Sequence, residues 1–262
     1  MLHADVHGDP GRPRVVLVHG FTQTRRSWGP LVAALAEHHE VLAVDAPGHG
    51  RSSDLRANLV DGARLLGETG GRAHYLGYSM GGRLTLHLAL ERPDLVRRLV
   101  LVGATAGLDT EEERASRRAA DEDLAEGLER DGLDPFLRRW LANPLFAGLS
   151  EEAFGVEERL DNTVAGLASS LRLAGTGSQQ PLWGRVGELT MPVLLVAGER
   201  DEKFTALAHR MAGAWGGPAR VAVVAGAGHA CHLERPRAFI DVVVPFLDED
   251  HRTESPAASS SP

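Results

Sequence analysis

Six short apolar runs set the architecture open to this chain: Val15 to His19, Val41 to Asp45, His74 to Leu76, Leu99 to Val102, Val193 to Ala197 and Val221 to Val224. Each is rich in Val and Leu and ends at Gly, Pro or small polar residues, the pattern of parallel strands buried on both faces. Helical patterns lie between several of them: Leu31 to His38, Leu55 to Thr69, Met80 to Glu91, Ala206 to Trp215 and Arg237 to Leu247. Strand alternating with helix predicts an α/β fold, a mostly parallel central sheet with helices on both faces. At 262 residues and 43% hydrophobic content there is material for one such core plus a subdomain.

The alternation stops after Val102 and resumes near Val193. In the gap, Thr110-Glu-Glu-Glu113 is a capping box that opens a long charged helix, Asp134-Pro135 can start a second, and Ser150-Glu-Glu a third. The expected division is therefore a first core part at 1–106, an inserted helical cap at 107–182, a second core part at 183–248, and a polar, disordered tail at 249–262.

No apolar run approaches the roughly 18 residues of a membrane-spanning helix, and residues 1–10 lack the basic-then-apolar order of a secretion signal. The single cysteine, Cys231, permits no internal disulfide. A soluble, cytoplasmic protein is expected. The formal charge of −8 argues against nucleic-acid and anionic-membrane partners. All of it lies in residues 107–182, with 16 acids against 8 arginines; the rest of the chain is neutral. Of the 28 basic residues 27 are arginine, and Lys203 is the one lysine.

Gly77-Tyr78-Ser79-Met80-Gly81 follows an apolar run and opens a helical pattern, the setting in which G-x-S-x-G is a nucleophile elbow. A serine hydroxyl needs a base to take its proton, and the base needs an acid to orient it. His229 follows the last core strand and Asp201 the strand before it. Ser, then Asp, then His, each just after a strand, brings all three to one sheet edge. His232 is the rival base, although Leu-Glu-Arg-Pro after it reads as a helix start; Glu199 is the rival acid. His38, His39, His209 and His251 read as solvated surface, His87 as packing on the nucleophile helix, and Cys231 as a small packed residue. The backbone N–H groups of Phe21, in His19-Gly20-Phe21, and of Met80 are candidates for an oxyanion hole, with His19 anchoring the loop.

Together these motifs resemble the α/β-hydrolase superfamily from His19-Gly20 to His229. Narrower strings are similar to those of the 2-succinyl-6-hydroxy-2,4-cyclohexadiene-1-carboxylate synthases of menaquinone biosynthesis: Leu2-His3-Ala4, Glu112-Glu-Arg114, Trp140 with Pro144-Leu-Phe146-Ala, and above all Gly198-Glu-Arg-Asp-Glu-Lys-Phe204. The resemblance implies an α/β-hydrolase fold and a lyase that expels pyruvate with neither cofactor nor metal. Its triad would act as a base, on a small substrate bearing three carboxylates. It further implies substrate contacts from Tyr78, Arg83, Arg114, Trp140 and Arg159, with Arg172 competing for the last position. Gln23 to Arg26 depart from the family strings. A serine hydrolase of a small ester, lactone or C–C-bonded diketone is the alternative, because the same triad serves acyl transfer. The chain would act as a monomer or homo-oligomer.

Overall fold

The computed structural model describes residues 1–249. Its sheet has seven strands: β1 (Ala4–His7), β2 (Arg14–Val18), β3 (Glu40–Val44), β4 (Ala73–Tyr78), β5 (Val96–Val102), β6 (Val193–Gly198) and β7 (Ala219–Val224). Their order is β1-β3-β2-β4-β5-β6-β7, with β1 antiparallel to β3 and every other pairing parallel. The six apolar runs are β2 to β7. The run pattern missed β1, because a four-residue edge strand with two exposed residues carries no apolar signature.

Around the sheet lie α1 (Leu31–Ala36), α2 (Leu59–Gly70), α3 (Met80–Glu91), α4 (Glu111–Asp131), α5 (Leu133–Leu141), α6 (Glu151–Phe154), α7 (Val156–Arg159), α8 (Val164–Ala174), α9 (Glu202–Ala214), α10 (Cys231–Glu234) and α11 (Pro236–Leu247). In β2 the side chains alternate between faces, as the pleat requires. Val16 and Val18 join the cluster that also holds Leu66, Leu84 and Met211 from α2, α3 and α9. Val15 and Leu17 join the opposite one, with Leu35, Phe239 and Val243 from α1 and α11. Both faces are thus covered, which is why the strands read as unbroken apolar runs.

Helices α4 to α8 all fall between β5 and β6 and enclose an apolar cluster of their own, including Leu128, Phe136, Leu137, Leu167 and Leu171. Thr110 opens α4 with the expected reciprocal capping box: its hydroxyl accepts the Glu113 N–H, and the Glu113 carboxylate accepts the Thr110 N–H. At the other end of the chain Glu249, expected to begin a disordered tail, pairs with Arg98 and Arg220; the remainder of that tail, with His251, lies outside the described residues. Among the described residues no helix is long and apolar enough to cross a membrane.

The strand order positions the site. The chain runs from β2 outward to β3 on one side, then returns to place β4 on the other side of β2. At such a reversal the loops leaving the carboxyl ends of the two strands part and leave a crevice. The segments that leave β2 and β4 here are Gly20 to Gln23 and Ser79-Met80.

Candidate active site

Ser79 sits between β4 and α3 with φ 51° and ψ −107°. Thr22 is the other non-glycine residue with positive φ among the described residues. Such a backbone costs on the order of 1–3 kcal/mol and persists only where its surroundings enforce it. Two glycines make the turn possible. A Cβ on Gly77 would lie 2.4 Å from the Gly81 carbonyl oxygen, and one on Gly81 would lie 1.9 Å from that of Val18. The Ser79 N–H donates to the Val102 carbonyl at 2.8 Å, which ties the turn to β5.

The structure brings the three triad candidates together. Asp201 caps α9, one carboxylate oxygen accepting the Phe204 N–H at 3.3 Å while the other accepts His229 Nδ1–H at 2.7 Å. A carboxylate only accepts, so the proton sits on Nδ1 and the Nε2 lone pair faces Ser79 Oγ, 3.3 Å away. The rivals are engaged elsewhere. Glu199 accepts the Gly226 N–H at 2.8 Å. His232 lies in α10, one residue after its start, and is packed among Tyr78, Trp28 and Phe239; burial pushes its pKa down to about 3, so it stays neutral. Burial pushes the Cys231 thiol up to about 12, which leaves it unreactive.

Met80 is the first residue of α3, so its N–H has no acceptor within the helix. Phe21 lies in a turn closed by the Gln23 N–H donating to the Gly20 carbonyl at 3.2 Å. The strain at Thr22 in this turn is held from the cap. Asn162 Nδ2 donates to the Thr22 carbonyl at 2.8 Å, Arg159 donates to the Thr22 hydroxyl, and Asn162 Oδ1 accepts the Gly50 N–H at 2.9 Å. Nothing in the sequence singles out Thr22 or Asn162, because a β-branched residue at positive φ exists only through such tertiary contacts. His19 anchors the loop: its Nε2 accepts the Ala46 N–H at 3.1 Å, and Nδ1 therefore donates to the Gly20 carbonyl at 2.8 Å.

A cavity of about 500 Å³ opens over these groups, walled by Phe21, Tyr78, Trp140 and Phe204 among others. Four cationic residues line it: Arg83, Arg117, Arg159 and Lys203. Arg83 and Arg159 are buried, and desolvation lowers each to about 10, so both remain charged at neutrality. Each keeps part of its fork for the protein, Arg83 donating to the Ala174 carbonyl at 2.7 Å and Arg159 Nε to the Phe154 carbonyl at 2.7 Å. The indole N–H of Trp140 is buried without an acceptor among the described residues.

Arg114 corrects an expectation, for it does not line the cavity. Its guanidinium turns back on the first turn of α4, bonding Glu111 and the carbonyls of Leu108 and Asp109. Arg117, about one turn further along, reaches the cavity instead, its Nε donating to Asp121 at 2.8 Å. Arg172 does not line the cavity either; it forks between Glu122 and Glu129. Lys203 was visible in the sequence as the lone lysine, though not as a wall of the cavity. His39, expected at the surface, is buried and lies 3.6 Å from Asp248.

Burial also keeps His49 at about 3 and His87 at about 4, alongside His232. On unfolding, each returns to an ordinary imidazole that takes up a proton below about pH 6.5. The unfolded chain then binds more protons, so stability is full above pH 6.5 and falls as the pH drops toward 4, by on the order of 1.4 kcal/mol per pH unit for each histidine. Burial lowers His19 as well, so the unfolding free energy from urea titrations between pH 7.5 and 4.5 should fall with a slope of about three to four protons; a flat profile would show that these rings are protonated in the folded protein.

Residues 15–242 match the Alpha/beta hydrolase family. A Bacillus subtilis (strain 168) protein, provisionally named for 2-succinyl-6-hydroxy-2,4-cyclohexadiene-1-carboxylate synthase, is 38% identical over 89% of each chain. The Salmonella heidelberg (strain SL476) protein of that name is 33% identical over 94% of this chain and 99% of its own. Among solved structures, MenH from S. aureus superimposes with a TM-score of 0.88 at 28% identity, covering 96% of this chain and all of the other.

Proposed function

From the premise that this chain belongs to the alpha/beta hydrolase family and, within it, to the 2-succinyl-6-hydroxy-2,4-cyclohexadiene-1-carboxylate synthases, we propose the following chemistry for its site. The enzyme is a carbon–oxygen lyase of menaquinone biosynthesis. It eliminates pyruvate from 2-succinyl-5-enolpyruvyl-6-hydroxy-3-cyclohexene-1-carboxylate to give 2-succinyl-6-hydroxy-2,4-cyclohexadiene-1-carboxylate. The observation that carries this reading is a Ser-His-Asp relay opening into a cavity whose wall holds four cations against two carboxylates, Asp121 beside Arg117 and Asp201 of the relay. A hydrolase of neutral esters has no use for that much positive charge, whereas a substrate with three carboxylates does.

In this reading His229 takes the Ser79 proton, and the Ser79 oxygen removes the ring proton beside the succinyl ketone. Asp201 holds His229 in the required tautomer and offsets its charge once it is protonated. The negative charge moves onto the ketone oxygen, within reach of the Phe21 and Met80 amides. As that enolate collapses, a ring double bond forms beside the deprotonated carbon and the existing one shifts. The C–O bond to the enolpyruvyl group then breaks on the far side of the ring. The departing enolate gains a proton, released by His229 directly or through water, and becomes pyruvate, so His229 returns to its neutral form and the atoms balance without an oxidant, a metal or a cofactor. Arg83, Arg117 and Arg159 suit bidentate carboxylate binding, Lys203 adds a point charge, and Tyr78 and Trp140 complete the wall. The substrate is a diffusible anion, so the reading needs no nucleic-acid or membrane partner; it places a monomer or homo-oligomer in the cytoplasm.

Purified protein given the enolpyruvyl substrate should release pyruvate, measured by coupling to lactate dehydrogenase, far faster than it releases phenol from aryl esters. Ester turnover without pyruvate would overturn the lyase reading. Arg159→Ala should raise KM for the trianion by on the order of 10²-fold, the loss of a charge-assisted hydrogen bond, while changing the inhibition constant of a neutral aryl ester much less. Equal effects on both would mean that Arg159 acts only by holding Thr22.

A further inference from the structure

Gln23 closes the turn that follows His19-Gly20-Phe21, and the structure gives it a place in the site. Its side chain is 2% exposed and lines the catalytic cavity with Phe21, Ser79 and Met80. The Gly20 N–H donates to Gln23 Oε1 at 3.0 Å. A backbone N–H cannot accept, so this bond fixes which end of the amide is oxygen and turns the NH2 end away from Gly20. That Nε2 has no acceptor among the described residues and is not sealed in the protein, so its open side is the cavity. The side chain folds back across the turn that carries the Phe21 N–H, since the Gln23 N–H also closes onto the Gly20 carbonyl.

We propose that Gln23 Nε2 is a third N–H donor to the developing enolate oxygen, beside the amides of Phe21 and Met80. The inference rests on the elimination described above, in which negative charge collects on the succinyl ketone oxygen. A donor locked in place before reaction needs no reorganisation as that charge appears, and for this reason such groups act on kcat rather than on substrate binding. The Gly20 bond supplies the lock: it removes the amide's rotation at no cost to the donor.

The test compares Gln23→Glu with Gln23→Ala in pyruvate release, kcat and KM taken separately at pH 8, with thermal midpoints beside them. Glutamate keeps the acceptor for the Gly20 N–H but replaces the donor by an anionic acceptor; alanine loses acceptor and donor without adding a charge. The expected result is a fall in kcat on the order of 10²-fold in Gln23→Glu, at least as large as in Gln23→Ala, with KM of the uncharged Gln23→Ala changed less than threefold and melting midpoints near that of the parent. Activity of Gln23→Glu relative to the parent should then climb as the pH falls, because a protonated carboxyl regains an O–H donor. If Gln23→Glu keeps its kcat while Gln23→Ala loses it, the side chain only shapes the turn and the proposal falls. A rise in KM alone also overturns it, because the amide would then bind a ground-state carboxylate. Absence of pyruvate release by the parent protein would instead remove the elimination on which the inference stands, a result distinguishable from either.

Discussion

Replacing Ser79 by alanine is expected to slow pyruvate release by on the order of 10³-fold or more while leaving the thermal midpoint within a few degrees of the parent. The hydroxyl's one hydrogen bond in the site is the 3.3 Å contact with His229 Nε2, so little folding energy is lost with it. The elbow does not depend on the hydroxyl either; it is built from Gly77, Gly81 and the bond to Val102, all of which remain. What disappears is the group that carries the proton from the ring to His229, and positioned general bases contribute about 10² to 10⁴ in rate. Steady-state pyruvate release and a melting curve on the same preparation check this. Turnover within tenfold of the parent would mean that His229 removes the proton without the serine.

Asp201→Asn should be at least as damaging, by about 10⁴ in kcat, and for a geometric reason. The Phe204 N–H donates to one oxygen of Asp201 and will hold the asparagine carbonyl there. The new NH2 then faces His229 Nδ1, where the carboxylate now accepts at 2.7 Å. Two donors cannot share that contact, so Nδ1 gives up its proton and Nε2 acquires it. A protonated Nε2 offers Ser79 a donor where an acceptor is needed. The histidine N–H resonance should shift from Nδ1 to Nε2 in the nitrogen-coupled proton spectrum. Retention of the Nδ1 proton together with lost activity would assign the defect to charge rather than to tautomer.

The sheet and the triad were legible because each depends on neighbours in sequence. A strand buried on both faces has to be apolar throughout, and a nucleophile elbow needs small residues two before and two after the serine. Placing Asp201 and His229 required only the rule that loops leaving parallel strands share one edge. Cap residues followed no such rule. Arg114 and Arg117 are close on one helix and chemically identical, yet Glu111 and two carbonyls draw the first back to the helix start while the second enters the cavity. Composition did not show where the cations go either. The cap's charge of −8 is real, but exposed acids such as Glu122, Glu129 and Asp134 pair with Arg172 and Arg138, while Arg83, Arg117, Arg159 and Lys203 face the cavity.

The sequence by itself determined the layers of the fold, the chain position of the helices inserted between β5 and β6, and three side chains, Ser79, Asp201 and His229, that meet at one sheet edge, since hydrophobic period, turn chemistry and chain order are local properties. Tertiary structure alone decided which cations meet the cavity, how the cap holds Thr22 in its strained turn through Arg159 and Asn162, and where the Gln23 amide points. The physical reason is that a long polar side chain goes to whichever partner lies within a few ångströms, whether that partner is Gly20, three residues from Gln23, or Thr22, 137 and 140 residues from Arg159 and Asn162.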